Sequence, residues 1–249
     1  MSLIELVNNN ILSKDQYMDK ETLNWIYNNS IKDINSRTNY NAKNYKKFIP
    51  NIKWFPSNNK INSIHGLRHL IRVSIFCEII KHNYWWIFLM LNLKNVLTAA
   101  TLHDIRRLDD RDDIGHGQRS ADWFLKNIKV VQEQFNVYYN KRDKETIYNA
   151  IFYHEIPYNA IDRNIYKKNK RIINIIKTAD ALDRYRLPKL KWRINDDYLN
   201  FKPSQKLKFF AYKLVYQTEK MFLEKSNNIQ IDFSKSIKII NNKKHDGQK

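Results

Sequence analysis

The stretch Ala100-Thr101-Leu102-His103-Asp104 decides the fold of this chain. It ends an apolar run that begins at Trp85, and the sequence turns polar directly after it. An imidazole and a carboxylate are two metal-ligating groups, and at the end of a helix both can face one ion. The alternative is a helix end that faces solvent, because burying an unpaired carboxylate would cost several kcal/mol. The pair therefore indicates a cation site at the end of a central buried helix.

The composition of the whole chain favours helices. Among 249 residues there are only 4 Gly and 5 Pro, and sheet-rich folds need turn residues more often than this. Apolar residues make up 43% of the chain, which is enough for a sizeable core. We therefore predict an all-α protein, with helices over residues 21–31, 63–82, 85–103, 118–129, 144–154, 171–186 and 205–224. A short strand at 229–233 is the one conceivable exception, and the basic end, 241–249, is expected to fray.

Several protein classes are excluded by simple features. The single cysteine, Cys77, rules out an internal disulfide framework and a thiolate-rich zinc site, and it is expected to be a small buried hydrophobe. The N-terminus lacks the basic and apolar regions of a signal peptide. The most apolar stretch, residues 84–91, is too short to span a membrane, which needs about 20 residues. We expect a cytoplasmic protein without a membrane span.

The net charge of +19 allows two interpretations. Lysines are spread along a chain that is rich in Lys, Asn, Ile and Tyr throughout, which favours a compositional bias over a selected surface for polyanions. The aromatic and basic segment 40–54 nevertheless permits nucleic-acid binding, because aromatic rings can stack on bases while lysines neutralise phosphates. The simpler interpretation of its aromatic side chains is packing against the core, and it applies to Tyr45, Phe48, Trp54 and Phe55.

Two further histidines precede the central stretch. His69 lies four residues after His65 and three before Arg72, so a helix would place all three on one face. Two imidazoles and a guanidinium on one face are unusual in an otherwise apolar helix. His65 alone has an equally plausible role in lining the start of that helix.

Three other candidate ligands follow the central stretch. His116 stands between Gly115 and Gly117, and glycine allows close approach of the backbone to a ligand. His154 follows the aromatic pair Phe-Tyr. Asp180 interrupts an apolar helix and needs a cationic partner. A salt bridge of Asp180 to a neighbouring Lys177 or Arg184 is the alternative to a metal ion.

Taken together, this order of residues resembles the HD-domain superfamily of metal-dependent phosphohydrolases. The resemblance covers about residues 63–188 and implies a helical bundle around a central site. It implies a first ion held by His69, His103, Asp104 and Asp180. In members with two ions, His116 and His154 would hold the second, with Asp104 bridging. Ligands of this mixed nitrogen and oxygen type suit Mn, Fe, Co, Ni or Zn.

The same resemblance suggests where substrate would bind. Many two-metal members read His-Asp-Ile-Gly-Lys, whereas this chain reads His103-Asp104-Ile105-Arg106-Arg107. Arg107 can replace that lysine as a phosphate contact, because its planar fork can hold two oxygens. We predict His103, Asp104, Arg107 and Lys177 as the catalytic set. Further substrate contacts are predicted at His65, Arg72 and Arg184.

The predicted organisation is one HD-type core with helical additions at both ends. The segments are an extension at 1–60, the metal-binding core at 61–190 and a helical extension at 191–249. The expected activity is a metal-dependent phosphohydrolase that acts on a nucleotide or a small phosphorylated compound. A mixed-valence di-iron oxygenase and an HD-type nuclease or nucleic-acid-binding protein are the alternatives. The oligomeric state is left open by the sequence.

Overall fold

The computed structural model describes residues 1–29, 39–189, 194–224 and 229–242. Within these ranges the chain forms eleven α-helices and no strand, which confirms the all-α prediction. The helices are α1 (Leu3–Asn8), α2 (Lys20–Asn28), α3 (Asn58–Ile61), α4 (Leu67–Asn83), α5 (Leu93–Leu102), α6 (His116–Lys126), α7 (Ile128–Phe135), α8 (Lys141–Tyr153), α9 (Arg163–Leu182), α10 (Gln205–Leu223) and α11 (Ile229–Asn242).

The core lies among α4, α5, α8 and α9. Helix α4 packs against α5 and α9, and α8 packs against α5, α6 and α9. The first fourteen residues of α4, from Leu67 to Ile80, are buried, including Cys77 as expected. A helix buried on every side belongs at the centre of a bundle. The polar residues that α4 carries are therefore forced to find partners inside the protein.

Polar caps fix where the central helices begin. Asn92 accepts a hydrogen bond from the backbone N–H of Lys94 at the start of α5. Asp162 accepts two backbone N–H bonds at the start of α9, and Asn140 forms a capping box with Asp143 in α8. These side chains satisfy N–H groups that have no partner within the helix. These caps therefore fix the first residues of α5, α8 and α9.

The prediction of one helix over 85–103 is wrong in its first half. Helix α4 ends at Asn83, residues 84–91 form successive turns, and α5 starts only at Leu93. The capping side chain of Asn92 begins a new helix at this point. Trp85 and Trp86 are exposed instead of buried. The apolar run that begins at Trp85 therefore does not consist of buried side chains throughout.

Other boundaries also differ from the sequence pattern. Helix α4 begins at Leu67, four residues later than predicted, and α9 begins at Arg163, eight residues earlier than predicted. Helix α7 was not predicted at all. The suggested strand at 229–233 is wrong, because those residues open helix α11. Buried Phe233, Ile237 and Ile240 follow helical spacing, which the short apolar alternation before them hid.

The N-terminal segment is packed onto the bundle. The buried carboxylate of Glu78 in α4 accepts hydrogen bonds from the backbone N–H groups of Lys43, Asn44 and Tyr45. The aromatic side chains of segment 40–54 and its neighbour are buried, at Tyr45, Phe48, Trp54 and Phe55. Their rings fill the core and are not presented to nucleic-acid bases. The packing interpretation of this segment is therefore the one that the structure supports.

No helix in the described ranges is long and apolar enough to cross a bilayer. Residues 30–31 of the first predicted helix and 243–249 of the basic end lie outside the described residues.

Gly66 provides a test of the packing at the start of α4. A Cβ atom at this position would overlap the carbonyl oxygens of Lys60 and Ile61. We expect Gly66→Ala to lower the free energy of unfolding by about 3 kcal/mol, because backbone must move. Gly115→Ala is the matched control. Its Cβ meets only Arg119 Nη1 at 3.6 Å, so the cost there is the left-handed φ of 82°, about 1 kcal/mol. Equal losses in urea unfolding of the two variants would contradict this.

Candidate metal centre

Six histidine and aspartate side chains converge at the meeting point of five helix ends. His69 lies in the first turn of α4, and His103 and Asp104 directly follow α5. The remaining three are His116 at the start of α6, His154 directly after α8, and Asp180 in the last turn of α9. Residues 34 to 111 positions from His69 in sequence thus meet, because helices α4, α5, α6, α8 and α9 pack together.

The first half of the cluster surrounds His69. Its Nε2 atom lies 3.1 Å from Nε2 of His103, 3.6 Å from Oδ2 of Asp104 and 3.5 Å from Oδ1 of Asp180. His103 Nε2 lies 4.0 Å from each of the same two carboxylate oxygens. Atoms that bind one ion at about 2.0–2.2 Å are separated by distances of this order. These four side chains can hold one metal ion, and His69, His103 and Asp180 form a recognisable ligand group.

The second half of the cluster uses the other oxygen of Asp104. Oδ1 lies 3.0 Å from Nε2 of His116 and 3.3 Å from Nε2 of His154. Those two imidazole nitrogens are 3.0 Å apart. His103, Asp104 and His154 also form a group whose ligand atoms lie close enough for one ion. Asp104 therefore stands between the two halves, with one oxygen turned to each.

Every histidine of the cluster is oriented by a hydrogen bond on its far side. His103 Nδ1 lies 2.7 Å from the carbonyl of Ala100, and His154 Nδ1 lies 2.6 Å from that of Ile151. A carbonyl only accepts, so Nδ1 carries the proton and Nε2 presents a lone pair to the centre. His69 Nδ1 donates in the same way to Asp183 at 2.7 Å, and His116 Nδ1 lies 2.6 Å from the carbonyl of Asp113. In their neutral forms, the four rings therefore turn unprotonated Nε2 atoms toward the centre.

The fit of these residues to a metal ion can be judged from Asp104. Its Oδ1 is buried and takes no hydrogen bond from any residue that the structure describes. The nearest atoms are the Nε2 atoms of His116 and His154, at 3.0 and 3.3 Å. When these nitrogens are unprotonated, their lone pairs repel the carboxylate unless a positive charge lies between them. Nitrogen and carboxylate oxygen donors are the ligands that divalent transition metals take in proteins. The donor set therefore fits such an ion.

The pKa values of the cluster show the same demand for positive charge. Burial lowers the pKa of His103 to about 3, so this imidazole is neutral and free to act as a ligand. Burial also lowers the pKa of His116, but the carboxylates of Asp104 and Glu155 outweigh it and raise that pKa to about 10. Without a metal, a proton on His116 supplies the positive charge. The carboxylate of Asp104 stays ionised, because His116, His103 and Arg107 hold its pKa well below the usual value despite burial.

A cleft of about 630 Å³ opens onto the cluster. Its lining includes Asp104, His116, His154 and Asp180, whereas His69 and His103 are fully buried behind them. Among the residues predicted to bind substrate, it is also lined by His65, Arg107 and Arg184. Such a volume accommodates a small organic ligand.

The predicted contacts in the cleft differ in their surroundings. Arg107 Nη1 lies 3.7 Å from Asp104 Oδ2 and 3.1 Å from His116 Nε2, so this guanidinium sits at the edge of the cluster. Arg184 is exposed. His65 lies before α4 instead of within it, and its Nδ1 is 3.1 Å from the buried carboxylate of Asp110. His65 therefore reaches the cleft through a loop, not through the shared helix face that its spacing suggested.

Arg72 does not reach the cleft. Its guanidinium is fully buried, binds Asp183 through Nε and Nη2, and lies 2.6 Å from Glu219 Oε1 through Nη1. Asp183 in turn accepts the bond from His69 Nδ1. The structure thus places Arg72 behind a candidate ligand, where it orients Asp183, instead of in contact with substrate. The physical reason is charge pairing: two buried carboxylates lie closer to it than the cleft.

Lys177 lies beside the cluster and is turned away from the cleft. Its Nζ donates to the backbone carbonyls of His154 and Ile156, at 2.8 and 2.5 Å. Burial lowers the pKa of Lys177 to about 8, although Asp180 and Glu155 raise it. Lys177 therefore holds the loop after α8 in place through these two hydrogen bonds. It does not place it among the described residues that line the cleft.

Three carboxylates of the site were missed or underrated in the sequence. Glu155 Oε2 lies 2.9 Å from His116 Nδ1, and Glu155 also accepts the backbone N–H of Gly117. Asp183 orients His69 and was not among the predicted site residues. Asp110 accepts the backbone N–H of Gln16 and lies 3.4 Å from Lys60 Nζ, which ties the N-terminal segment to the cleft. Adjacency to His154 was the available signal for Glu155.

The fold and the cluster together define an all-α protein built around a candidate metal centre. Residues 66–185 match the family model described as HD domain. The chain therefore carries an HD domain over these residues, a domain that metal-dependent hydrolases share. No curated protein and no solved structure gives a significant match to the chain.

Glu219 tests the ion pairs behind His69. Although burial raises it, Arg68 and Arg72 hold the pKa of Glu219 below its ordinary value. We expect Glu219→Gln to lower the free energy of unfolding at neutral pH by about 3 kcal/mol, because two buried guanidiniums lose a counter-charge. A lowered carboxyl pKa stabilises above the unfolded-state pKa, and the contribution disappears as pH falls through the lowered value. The difference in the free energy of unfolding between the variant and the native chain should therefore become smaller at acid pH.

Glu224→Gln is the control for this measurement, because Glu224 is exposed and lies 3.9 Å from Lys220. Its effect should stay within about 0.5 kcal/mol. Urea unfolding at several pH values gives both numbers. A loss for Glu219→Gln no larger than that for Glu224→Gln would contradict the ion-pair account.

Proposed function

We propose that this protein is a metal-dependent phosphohydrolase that acts on a nucleotide or another small phosphorylated compound. The proposal rests above all on Asp104, whose two oxygens face two pairs of imidazole nitrogens in a buried pocket. In this proposal His69, His103, Asp104 and Asp180 hold one ion. His116 and His154 hold a second, which Asp104 shares.

When bound by these residues, divalent ions would activate water near neutral pH and polarise a phosphoryl oxygen. The residues of the chain supply orientation and charge. Asp183 and Glu155, together with the carbonyls of Ala100 and Ile151, hold the four imidazoles with their Nε2 atoms inward. This arrangement needs no movement of ligands when substrate arrives, and preorganised charge is the main requirement of phosphoryl transfer.

The cleft supplies the reason for proposing a phosphorylated substrate. Four arginines line it, at Arg107, Arg111, Arg184 and Arg186. Guanidinium forks bind phosphate oxygens in pairs. Arg107 lies beside Asp104 and is positioned to bind the reacting phosphoryl group, whereas exposed Arg184 is positioned to bind a more distant part of the substrate. A substrate of nucleotide size is in keeping with a cleft of about 630 Å³.

Asp104→Asn is the direct test of this function. The amide removes the charge that faces all four nitrogens, so we expect loss of bound metal and at least a 100-fold loss of phosphate release. Mn²⁺ should raise the melting temperature of the native chain and leave that of the variant unchanged, because only a folded site that binds metal is stabilised. Asp197→Asn, at an exposed position, is the matched control and should behave as the native chain.

Phosphate release is measured over nucleotides and cyclic dinucleotides with Mn²⁺, Co²⁺, Ni²⁺ and Fe²⁺. Full activity of Asp104→Asn would remove the proposal. A purified protein that carries two irons, consumes oxygen and releases no phosphate would replace hydrolysis with oxygenation at the same centre.

Arg184 tests the substrate side of the cleft separately from the metal. We expect Arg184→Ala to lower kcat/KM at least tenfold, mainly through KM, because a charged contact to substrate contributes about 1.5–3 kcal/mol. Metal content should stay at the native level. Arg163→Ala, at an exposed position outside the cleft, should leave both constants unchanged. A normal KM for Arg184→Ala would exclude this arginine as a substrate contact.

A further inference from the structure

The turns between α4 and α5 form an exposed apolar surface, which we call the tryptophan loop (residues 84–91). Five of its eight side chains are large, apolar and exposed, with exposed fractions of 57% for Trp85, 59% for Trp86, 40% for Ile87, 62% for Leu89 and 77% for Met90. Single exposed apolar residues are ordinary, but a contiguous group of this kind marks an interaction site.

The tryptophan loop is held in place from beneath. Phe88 is 1% exposed and packs against Phe201 with ring centroids 5.1 Å apart, and Tyr84 packs against the same ring at 5.0 Å. Backbone hydrogen bonds from Ile87 N–H to Tyr84 and from Leu91 N–H to Phe88 close its turns, each at 3.0 Å. The tryptophan loop is therefore an ordered set of turns that buries Phe88 and leaves five other large apolar side chains exposed.

A strongly cationic wall adjoins this loop. Met90 and Leu91 line a cleft of about 410 Å³ together with the start of α8 and the second and third turns of α9. The cations that line the same cleft are Arg142, Lys167, Lys168, Lys170 and Arg171. Asp143 is the one carboxylate among the described residues that line it, and it lies 3.1 Å from Lys94. The tryptophan loop thus adjoins the cationic groups through Met90 and Leu91.

We propose that this surface docks the protein on an anionic phospholipid bilayer. The tryptophan loop would enter the boundary between headgroups and acyl chains, where indole rings are favoured. The cationic wall would face the phosphate and carboxylate groups of the headgroups. Neither signal suffices alone, since stable attachment to a membrane surface takes an apolar insertion together with a basic patch. This chain presents the two side by side.

Two other partners fit the surface less well. A second copy of the chain in a two-fold contact would bring the same surface against itself, and the cationic walls would repel. Nucleic acid would satisfy the lysines and could stack on Trp85 and Trp86, but Ile87, Leu89 and Met90 would gain no apolar partner from it. A bilayer satisfies the indoles, the aliphatic side chains and the cations together.

Co-sedimentation of the full-length chain with vesicles tests the proposal. One set contains equimolar phosphatidylcholine and phosphatidylserine, and the other contains phosphatidylcholine alone. We expect the native chain to bind the first set, less tightly as salt rises, and to bind the second at least about tenfold more weakly. Tryptophan emission should shift to shorter wavelength when the anionic vesicles are added.

Two double variants separate the apolar and the cationic contributions. Trp85→Ser with Trp86→Ser, and Lys167→Glu with Arg171→Glu, should each weaken binding at least about tenfold. Lys168 is left in place because it pairs with Glu145 at 2.5 Å. Lys126→Glu with Lys129→Glu is the control for the charge change, since both lysines are exposed and outside the cleft. Phosphate release should be unchanged in all three.

Four outcomes would overturn the proposal. They are equal binding to both vesicle sets, native binding by the tryptophan double variant, the same loss in the control variant, and a tryptophan-dependent dimer or tryptophan-dependent binding of single-stranded DNA without vesicle binding. None of these depends on the metal centre, so the docking surface and the proposed activity can fail separately.

Discussion

The buried carboxylate of Asp104 is the constraint around which this protein is organised. Four imidazole Nε2 atoms lie within 4.0 Å of its oxygens, and its Oδ1 has no assigned hydrogen bond within the described structure. Such a group is expensive to bury unless a positive charge joins it. In the metal-free chain, a proton on His116 supplies this positive charge. Divalent ions would supply it and would also be coordinated by the other side chains of the cluster. The helix ends therefore meet around a site that needs a cation.

The surrounding structure explains how the site keeps its shape. The imidazoles are fixed from outside by carbonyls and carboxylates, and those carboxylates are fixed in turn. The longest such chain of contacts runs from His69 through Asp183 and Arg72 to Glu219 on α10. Glu219 lies beyond residues 66–185 that match the HD domain. Helix α10 therefore supports the candidate centre from behind, and none of its described residues lines the cleft.

Part of this arrangement could be predicted from the sequence. A scarcity of Gly and Pro with helical spacing indicates an all-α fold, and the ordered ligand types resemble the HD superfamily strongly enough to name six positions. Local patterns could not fix element boundaries, since the apolar run from Trp85 hides a break capped by Asn92. They also could not assign Arg72, because its partner Glu219 lies 147 residues away. Long-range pairing of buried charges leaves no local trace in sequence.

The central claim is that the two aspartates and four histidines grip at least one divalent cation. Anomalous diffraction from crystals of the full chain soaked with Mn²⁺ tests it most directly. We expect a peak within about 2–2.5 Å of Asp104 and of the inward nitrogens. A folded chain with no anomalous peak among these residues, at a Mn²⁺ concentration that fills other sites on the protein, would contradict it.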